Sequence, residues 1–512
     1  MSIHGDPEKE PDTASRTPGG HLGSLRSHLI GSTAARGGVQ VLARLRSLVL
    51  IVVISQWMGA REYGMWSQVI ATLGLLTPLL ALSLPSAMSR YFPALADRRR
   101  LRNELFTLFA FVSAISLCLL GLGAISLSSV SSIVFGESRY TAEALLFLLL
   151  MVVRTLLFVL RHYYRGVNRI IAYSVLEGVQ SVCELAVIAI VVIGFSAPFA
   201  SLLWGILLVD LAILLTMLAA IVRDVGWPQR LSLTAVGRYL AFSLPLIPNA
   251  LLLWVINLSD RYVITHHLGL EMAGTYAIAY QLGGLVMLCM MPFSFGFVPL
   301  ASRLWSEGRP QAVSRYMRHV LRYFTMLALP ATGGLWLLAA RAGRLLGGSE
   351  IDTPGYLVLL IACGLGAHAI SMITAFPLNL AEQTRKVLPV SVGAAVLNLG
   401  LNLWLVPRWG IPAAAASTCL TYVARTLVLY GMSRRILTFS WDLKALTATL
   451  FSTGVMLAAV HWIPRWAVRH LAFEVVLGVV VYFAAMLAVG GVTRDDLGLI
   501  RSLVSKIVRR GT

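Results

Sequence analysis

This sequence predicts an all-α polytopic membrane protein of about fourteen transmembrane helices, arranged as two six-helix lobes around a central cavity plus two C-terminal helices. Three observations predict it. Of 512 residues, 57% are hydrophobic and 13% charged, where a soluble globular chain carries about 25% charged residues. The apolar residues fall into runs of the roughly 20 residues that one bilayer crossing needs. The first twelve runs also read as a sequence repeated once. This composition excludes a water-soluble enzyme and a disordered chain.

Taken in order, residues 1–36 are rich in Pro, Gly, Ser and charge and lack the apolar core of a signal peptide, so they read as a flexible cytoplasmic tail. Spans follow at about 38–58, 65–88, 105–127, 142–162, 171–193, 198–222, 238–258, 273–300, 320–340, 355–378, 387–406, 411–432, 444–462 and 472–491. The first six form an N-lobe over 37–222 and the next six a C-lobe over 223–432. Spans 13 and 14 occupy 433–491, and 492–512 is a basic cytoplasmic tail.

The net charge is +19, from 42 basic and 23 acidic residues. In a soluble chain that excess would suggest nucleic acid. Here its distribution explains it. With the N-terminus inside, 30 Lys and Arg fall in the tails, in the even-numbered loops or within three residues of the span ends beside them, eight in the odd-numbered loops and four deeper within spans. Cytoplasmic loops carry such an excess, so both termini are expected in the cytoplasm and no nucleic-acid partner is expected. The five cysteines lie singly in apolar runs without a Cys-x-x-Cys pair, and His266-His267 has no further ligands beside it. Neither disulfides nor a metal site are expected.

The repeat is legible in turns and prolines. Gly59-Ala-Arg-Glu-Tyr-Gly64-Met-Trp66 follows span 1, and Gly269-Leu-Glu-Met-Ala-Gly274-Thr-Tyr276 follows span 7. Both read Gly-x4-Gly-x-aromatic. The next spans carry Pro78 and Pro85, then Pro292 and Pro299, each pair seven apart, and end near Arg90 and Arg303. Six spans are an even number, so the copies share one orientation and are related by an axis along the membrane normal. Proline-interrupted helices at matching places in two halves point to a transport site between them, which makes the four prolines hinge candidates.

These residues carry a family likeness. The chain resembles the polysaccharide transporter (repeat-unit, O-antigen flippase) branch of the multidrug/oligosaccharidyl-lipid/polysaccharide exporter superfamily. The matching pieces are Gly59 to Trp66, Asn257-Leu-Ser-Asp-Arg-Tyr-Val-Ile264 with Gly269 to Gln281, and Asn398-Leu-Gly-Leu-Asn402 with Pro407-Arg-Trp-Gly410 to Ser417. Order and spacing make them specific over about residues 30–490. The prolines around Ile411-Pro412 and the long tail depart from the family pattern. The resemblance implies two six-helix lobes and a multi-pass protein of the bacterial cytoplasmic membrane. It implies a flippase that carries a polyprenyl-diphosphate-linked oligosaccharide from the inner to the outer leaflet by alternating access, for export of O-antigen, capsule or exopolysaccharide. A polysaccharide polymerase and a chain-length regulator are partners expected from the family alone.

A diphosphate cargo calls for arginines, whose planar fork pairs with phosphate oxygens. Candidate cavity residues are therefore Arg44 and Arg46 in span 1, Arg90 and Arg303 at the cytoplasmic ends of spans 2 and 8, and Arg425 in span 12. Snorkelling to the headgroups is the plain alternative for Arg44 and Arg46. Asp260 and Arg261 fall at the outer end of span 7, as a gate or diphosphate contact or as an interfacial ion pair. Arg154, Glu177, Glu184 and Asp210 are charged residues inside spans 4 to 6. Counting rise puts Arg154, Asp210 and Glu177 at similar depth. They form a cluster that either locks the lobe or binds H⁺ or Na⁺ as coupling ion.

Other classes fit less well. No lysine follows a glycine, so no phosphate-binding loop of an ATP-driven pump is present. A membrane glycosyltransferase would need acidic outer loops, and the chain has no Asp-x-Asp, so no enzyme activity and no cofactor are expected. A cation-coupled multidrug exporter and a lipid II flippase of the same superfamily remain alternatives.

Overall fold

A computed structural model describes residues 46–95, 97–294, 297–348, 351–462 and 471–492, with the side chains of Leu233, Pro292 and Ser294 left aside. The two tails and Arg44 lie outside the described residues. Every described element is helical, as a chain without water partners for its backbone requires. The first lobe contains α1 (Arg46–Trp57), α2 (Ala60–Leu80), α3 (Leu84–Tyr91), α4 (Arg98–Ile125), the short α5 (Leu127–Phe135), α6 (Thr141–Gly166), α7 (Ile170–Ala189) and α8 (Phe199–Val225). The second contains α9 (Leu233–Ser243), α10 (Ile247–Leu268), α11 (Leu270–Gly283), α12 (Met291–Ser294), α13 (Phe297–Ser306), α14 (Pro310–Gly347), α15 (Gly355–Thr374), α16 (Phe376–Leu380), α17 (Val387–Trp409) and α18 (Ile411–Ser433). Helices α19 (Leu443–Trp462) and α20 (Leu471–Ala488) follow.

Among the described residues twelve helical segments are long and apolar enough to cross a membrane, and the bent pair α2–α3 makes a thirteenth. Helix α1 is shorter and apolar, and starts at the edge of the described residues. All fourteen expected spans therefore have a helical counterpart. The eighth is not continuous as expected. After α11 the chain tightens into a 3-10 stretch, Gly284–Met290, before α12 and α13. Helices α19 and α20 pack on each other and on α14, around a small separate core of Met326, Ala448, Met456, Tyr482 and Met486.

The repeat is visible in backbone geometry. Left-handed or positive-φ turns recur at Gly59 and Gly269 (φ 107 and 86), at Asn168 and Glu382 (φ 60 and 57), and at Ser196 and Gly410 (φ 47 and 70). The second pair is closed by the same bond in each lobe, Arg169 N to Tyr164 O (2.7 Å) and Gln383 N to Leu378 O (2.8 Å). Asn168 and Glu382 take a conformation that costs an L-residue about 1–2 kcal/mol. Its occurrence at matching places shows that the same turn is demanded twice.

Span 2 breaks between its two prolines. Leu82 and Ser83 are left-handed (φ 48 and 51), and α2 and α3 diverge by 52°. Pro78 lies inside α2, and Pro85 stands in the first turn of α3, where its missing N–H has no intrahelical partner to lose. In the second lobe Pro292 lies in α12 and Pro299 in α13.

Candidate functional site

The first lobe holds a buried ionic lattice at mid-depth. Arg154 on α6 donates from Nε to Asp210 Oδ2 on α8 (2.8 Å) and from Nη2 to Glu184 Oε1 on α7 (3.0 Å). Arg46 on α1 reaches the other oxygen of Glu184 (2.8 Å). Gln180, one turn before Glu184, donates to Glu184 Oε1 (2.7 Å) and Asp210 Oδ1 (2.5 Å), and accepts from Arg161. Glu184 and Asp210 are 1% and 0% exposed. Two guanidinium groups thus face two carboxylates, and their charges balance. Such a cluster holds together in a low-dielectric interior only when each charge is paired and hydrogen-bonded.

This arrangement corrects two expectations. Arg46 is bound into the lattice rather than standing apart as a cavity cation. Glu177 is not a member: it lies seven residues, about 10 Å of helical rise, from Glu184 toward the arginine-rich face, and makes no ion pair or hydrogen bond among the described residues. Gln180 takes the place assigned to it. An uncharged residue gives no charge signal, but its i,i+4 spacing to Glu184 puts both on one helix face.

The second lobe carries a polar ring at the equivalent places. The offset of 214 that relates Asn168 to Glu382 carries Arg154 onto His368 and Glu184 onto Asn398. Counting from the helix starts Phe199 and Ile411 puts Tyr422 opposite Asp210. His368 lies tilted against Tyr422 (4.7 Å between ring centroids, planes 37° apart), whose hydroxyl donates to Asn257 on α10. Asn402 donates to Asn398 (3.1 Å). Arg425 donates to Ser371 on α15 (2.8 Å) beside His368. A partner for Arg425, which the sequence leaves without one, is therefore provided by α15.

Of the two readings of Asp260 and Arg261, a gate or diphosphate contact and an interfacial ion pair, the second is not what the structure shows. Helix α10 continues to Leu268, eight residues past Asp260, so both are interior, at 1% and 8% exposure. Asp260 accepts the Tyr276 hydroxyl (2.6 Å) and the backbone N–H of Arg261 (2.8 Å). The Arg261 guanidinium lies over the Tyr280 ring (5.5 Å) and beside Tyr63 of the first lobe. It is an intramembrane cation that the fold sets at the seam between lobes. The arginines at the ends of spans 2 and 8 lie elsewhere. Arg90 rests on Phe242 (4.7 Å), and Arg303, 78% exposed, pairs with Glu307 (2.8 Å). Glu307 lies outside the spans, and its carboxyl is lowered from the usual value by that bond.

The lobes meet on both faces: α3 and α4 pack on α9 at the arginine-rich one, and α2 and α11 cross at the two repeat glycines at the arginine-poor one. A Cβ on Gly64 would come 2.0 Å from Leu270 O, and one on Gly274 would come 1.9 Å from Ala60 O. Tyr262 to Thr72 (2.5 Å) and Trp254 Nε1 to Ala71 O (2.8 Å) tie α10 to α2 below this crossing.

A family profile for "Polysaccharide biosynthesis protein" matches residues 32–305, more than half of the sequence. The chain belongs to this polysaccharide biosynthesis protein family. A second profile, MatE, matches residues 245–404. A probable low-salt glycan biosynthesis flippase, Agl15 of Haloferax volcanii, is 23% identical over 155 residues, 30% of this chain and 33% of that protein. The matched region thus spans about a third of that relative. Among solved structures, the lipid II flippase MurJ in an inward closed conformation superposes with TM-score 0.71 at 12% identity, covering 89% of this chain and 98% of MurJ. An inward-facing multidrug-resistance MATE transporter of the MOP superfamily gives 0.60 at 15%, covering 76% and 94%. These likenesses show the two-lobe fold of a multi-pass membrane protein.

In this family member an apolar groove of about 520 Å³ lies among α1, α11, α14, α19 and α20. Leu335 and Leu338 of α14, Val475 and Phe483 of α20, Leu282 of α11 and Leu48 of α1 line it. Arg341 of α14 pairs with Glu474 of α20 at its edge. Spans 13 and 14 stand outside the repeat, and the groove beside them is not legible in the sequence because its walls are apolar residues indistinguishable there from lipid-facing ones.

Proposed function

We propose that this transporter flips a polyprenyl-diphosphate-linked oligosaccharide repeat unit from the cytoplasmic to the outer leaflet of a bacterial cytoplasmic membrane, by alternating access, for surface polysaccharide export. The observation that carries this reading is the apolar groove between α14 and α20. A polyprenyl chain is a long flexible hydrocarbon that must stay in an apolar setting while its polar head crosses between the lobes, and the apolar lining of the groove, exposed at Val475, Val479 and Phe483, suits it. Arg261, at the lobe seam, is a cation suited to the diphosphate. The arginine bias between faces supports cytoplasmic termini and makes the arginine-rich face the loading side. The lattice around Arg154 is a candidate for coupling to H⁺ or Na⁺. A polymerase and a chain-length regulator would act on the flipped unit.

The test is a deletion strain whose polyprenyl-linked sugars are extracted and identified by mass spectrometry. Accumulation of complete repeat units with loss of surface polymer is the expected result. Normal lipid-linked sugars and normal polymer would overturn it in favour of drug export, and accumulated lipid II would identify the other flippase cargo.

A further inference from the structure

We propose that the arginine-rich face carries a separate pocket for the phosphate headgroup of a membrane lipid, set between α4 of the first lobe and the segment entering α9 of the second. A cavity of about 380 Å³ lies there, with Arg99, Arg100, Arg230 and Arg238 set against Asp97 and Glu104. Both acids are already engaged. Glu104, 5% exposed, accepts from Arg100 (2.9 Å), Arg238 (2.7 Å) and the Tyr239 hydroxyl (2.5 Å). Asp97 accepts the backbone N–H of Arg99 (2.8 Å) and so caps α4. Among the described residues no carboxylate pairs with the side chains of Arg99 or Arg230, and the hydroxyls of Ser232 and Thr234 stand beside them. The pocket therefore offers two uncommitted guanidinium groups and two hydroxyls, the donor set of a phosphate site.

The pocket is built before anything binds. Gln229 N donates to Asn103 Oδ1 (3.2 Å), Ser232 N to Thr107 Oγ1 (3.0 Å), and Arg102 to Val225 O (3.3 Å). These three bonds pin residues 225–232 to α4, so binding need not order that segment. Two facts select a lipid over a soluble anion. The pocket lies within the first two turns of α4, which puts it at headgroup level. Its flank exposes Trp227 (70%), stacked on Phe106, and Leu231 (59%), an apolar ledge for a hydrocarbon chain. The phosphate has two sources, the diphosphate of a polyprenyl carrier or the headgroup of an anionic phospholipid. Only the first rests on the transport reading.

The test uses the full chain in phosphatidylcholine nanodiscs, titrated with farnesyl diphosphate or doped with phosphatidylglycerol and weighed by native mass spectrometry. The variant Arg99→Gln/Arg230→Gln is compared with Arg99→Lys/Arg230→Lys, which keeps the charge. A loss of about tenfold or more in farnesyl diphosphate affinity, with farnesol unaffected and the Lys variant largely rescued, assigns the pocket to a carrier diphosphate. Loss of retained phosphatidylglycerol with unchanged farnesyl diphosphate affinity assigns it to a phospholipid. Equal retention of both ligands by the Gln variant and the parent overturns the proposal. If the Gln variant does not assemble, Ser232→Glu, which adds a negative charge and removes no arginine, is read in the same way. Binding is measured without export, so failure here leaves the lipid-linked sugar test untouched.

Discussion

At the scale of single residues, the lattice around Arg154 is where one change costs most. Replacing Arg154 by Leu leaves Glu184 with Arg46 alone and strips Asp210 of its guanidinium in a buried site. Breaking one partner of a buried ion pair costs about 3–5 kcal/mol, whereas removing the charges together is often neutral. Arg154→Leu should therefore lower the thermal midpoint in detergent clearly, and adding Asp210→Asn, which leaves Arg46 balanced against Glu184, should restore most of it. A double variant as unstable as the single one would mean that the lattice does more than balance charge. The charged members were legible because a carboxylate or guanidinium inside an apolar run is conspicuous. Gln180 was not, and depth counted from approximate span ends put Glu177 where Glu184 stands. The Asp260–Arg261 pair was misplaced for the same reason. The apolar run was ended at 258, whereas α10 carries its polar residues, packed on Tyr276 and Tyr280, on to Leu268.

At the scale of elements, the groove is a prediction about shape. A Cβ on Gly334 of α14 meets nothing within 4 Å, and Gly334 lines the groove. Gly334→Phe should leave assembly intact and fill the space, reducing surface polymer and raising the pool of lipid-linked repeat units. Normal polymer at normal protein levels would show that no chain occupies the groove. The helices themselves were readable from apolar run length, and the break in span 2 from its paired prolines. The 3-10 stretch Gly284–Met290 was hidden, because an apolar run looks the same whether its backbone bonds reach three residues back or four. Which helices share a groove depends on packing between segments distant in sequence, as with α14 and α20.

At the scale of the whole molecule, the two lobes touch through a reciprocal contact. Gly64 meets the carbonyl of Leu270, and Gly274 meets the carbonyl of Ala60. Any side chain at either glycine collides with backbone, so Gly64→Val or Gly274→Val should force α2 and α11 apart on the arginine-poor face. Cysteines placed near that crossing should become more reactive to impermeant maleimide, while surface polymer falls. Unchanged reactivity would mean that the helices yield without parting. The sequence exposed the duplication, since its glycines recur at a fixed offset, but not that the two copies of this motif are each other's partner. The duplication also leaves the halves unequal. One is cross-linked by a charge lattice joining α1, α6, α7 and α8, and its twin holds the same places with histidine, asparagine and tyrosine. Neutral hydrogen bonds are exchanged for one another at far less cost than buried charges are separated. A load applied across the pair is then taken up by the compliant half, and the stiff half serves as its anvil.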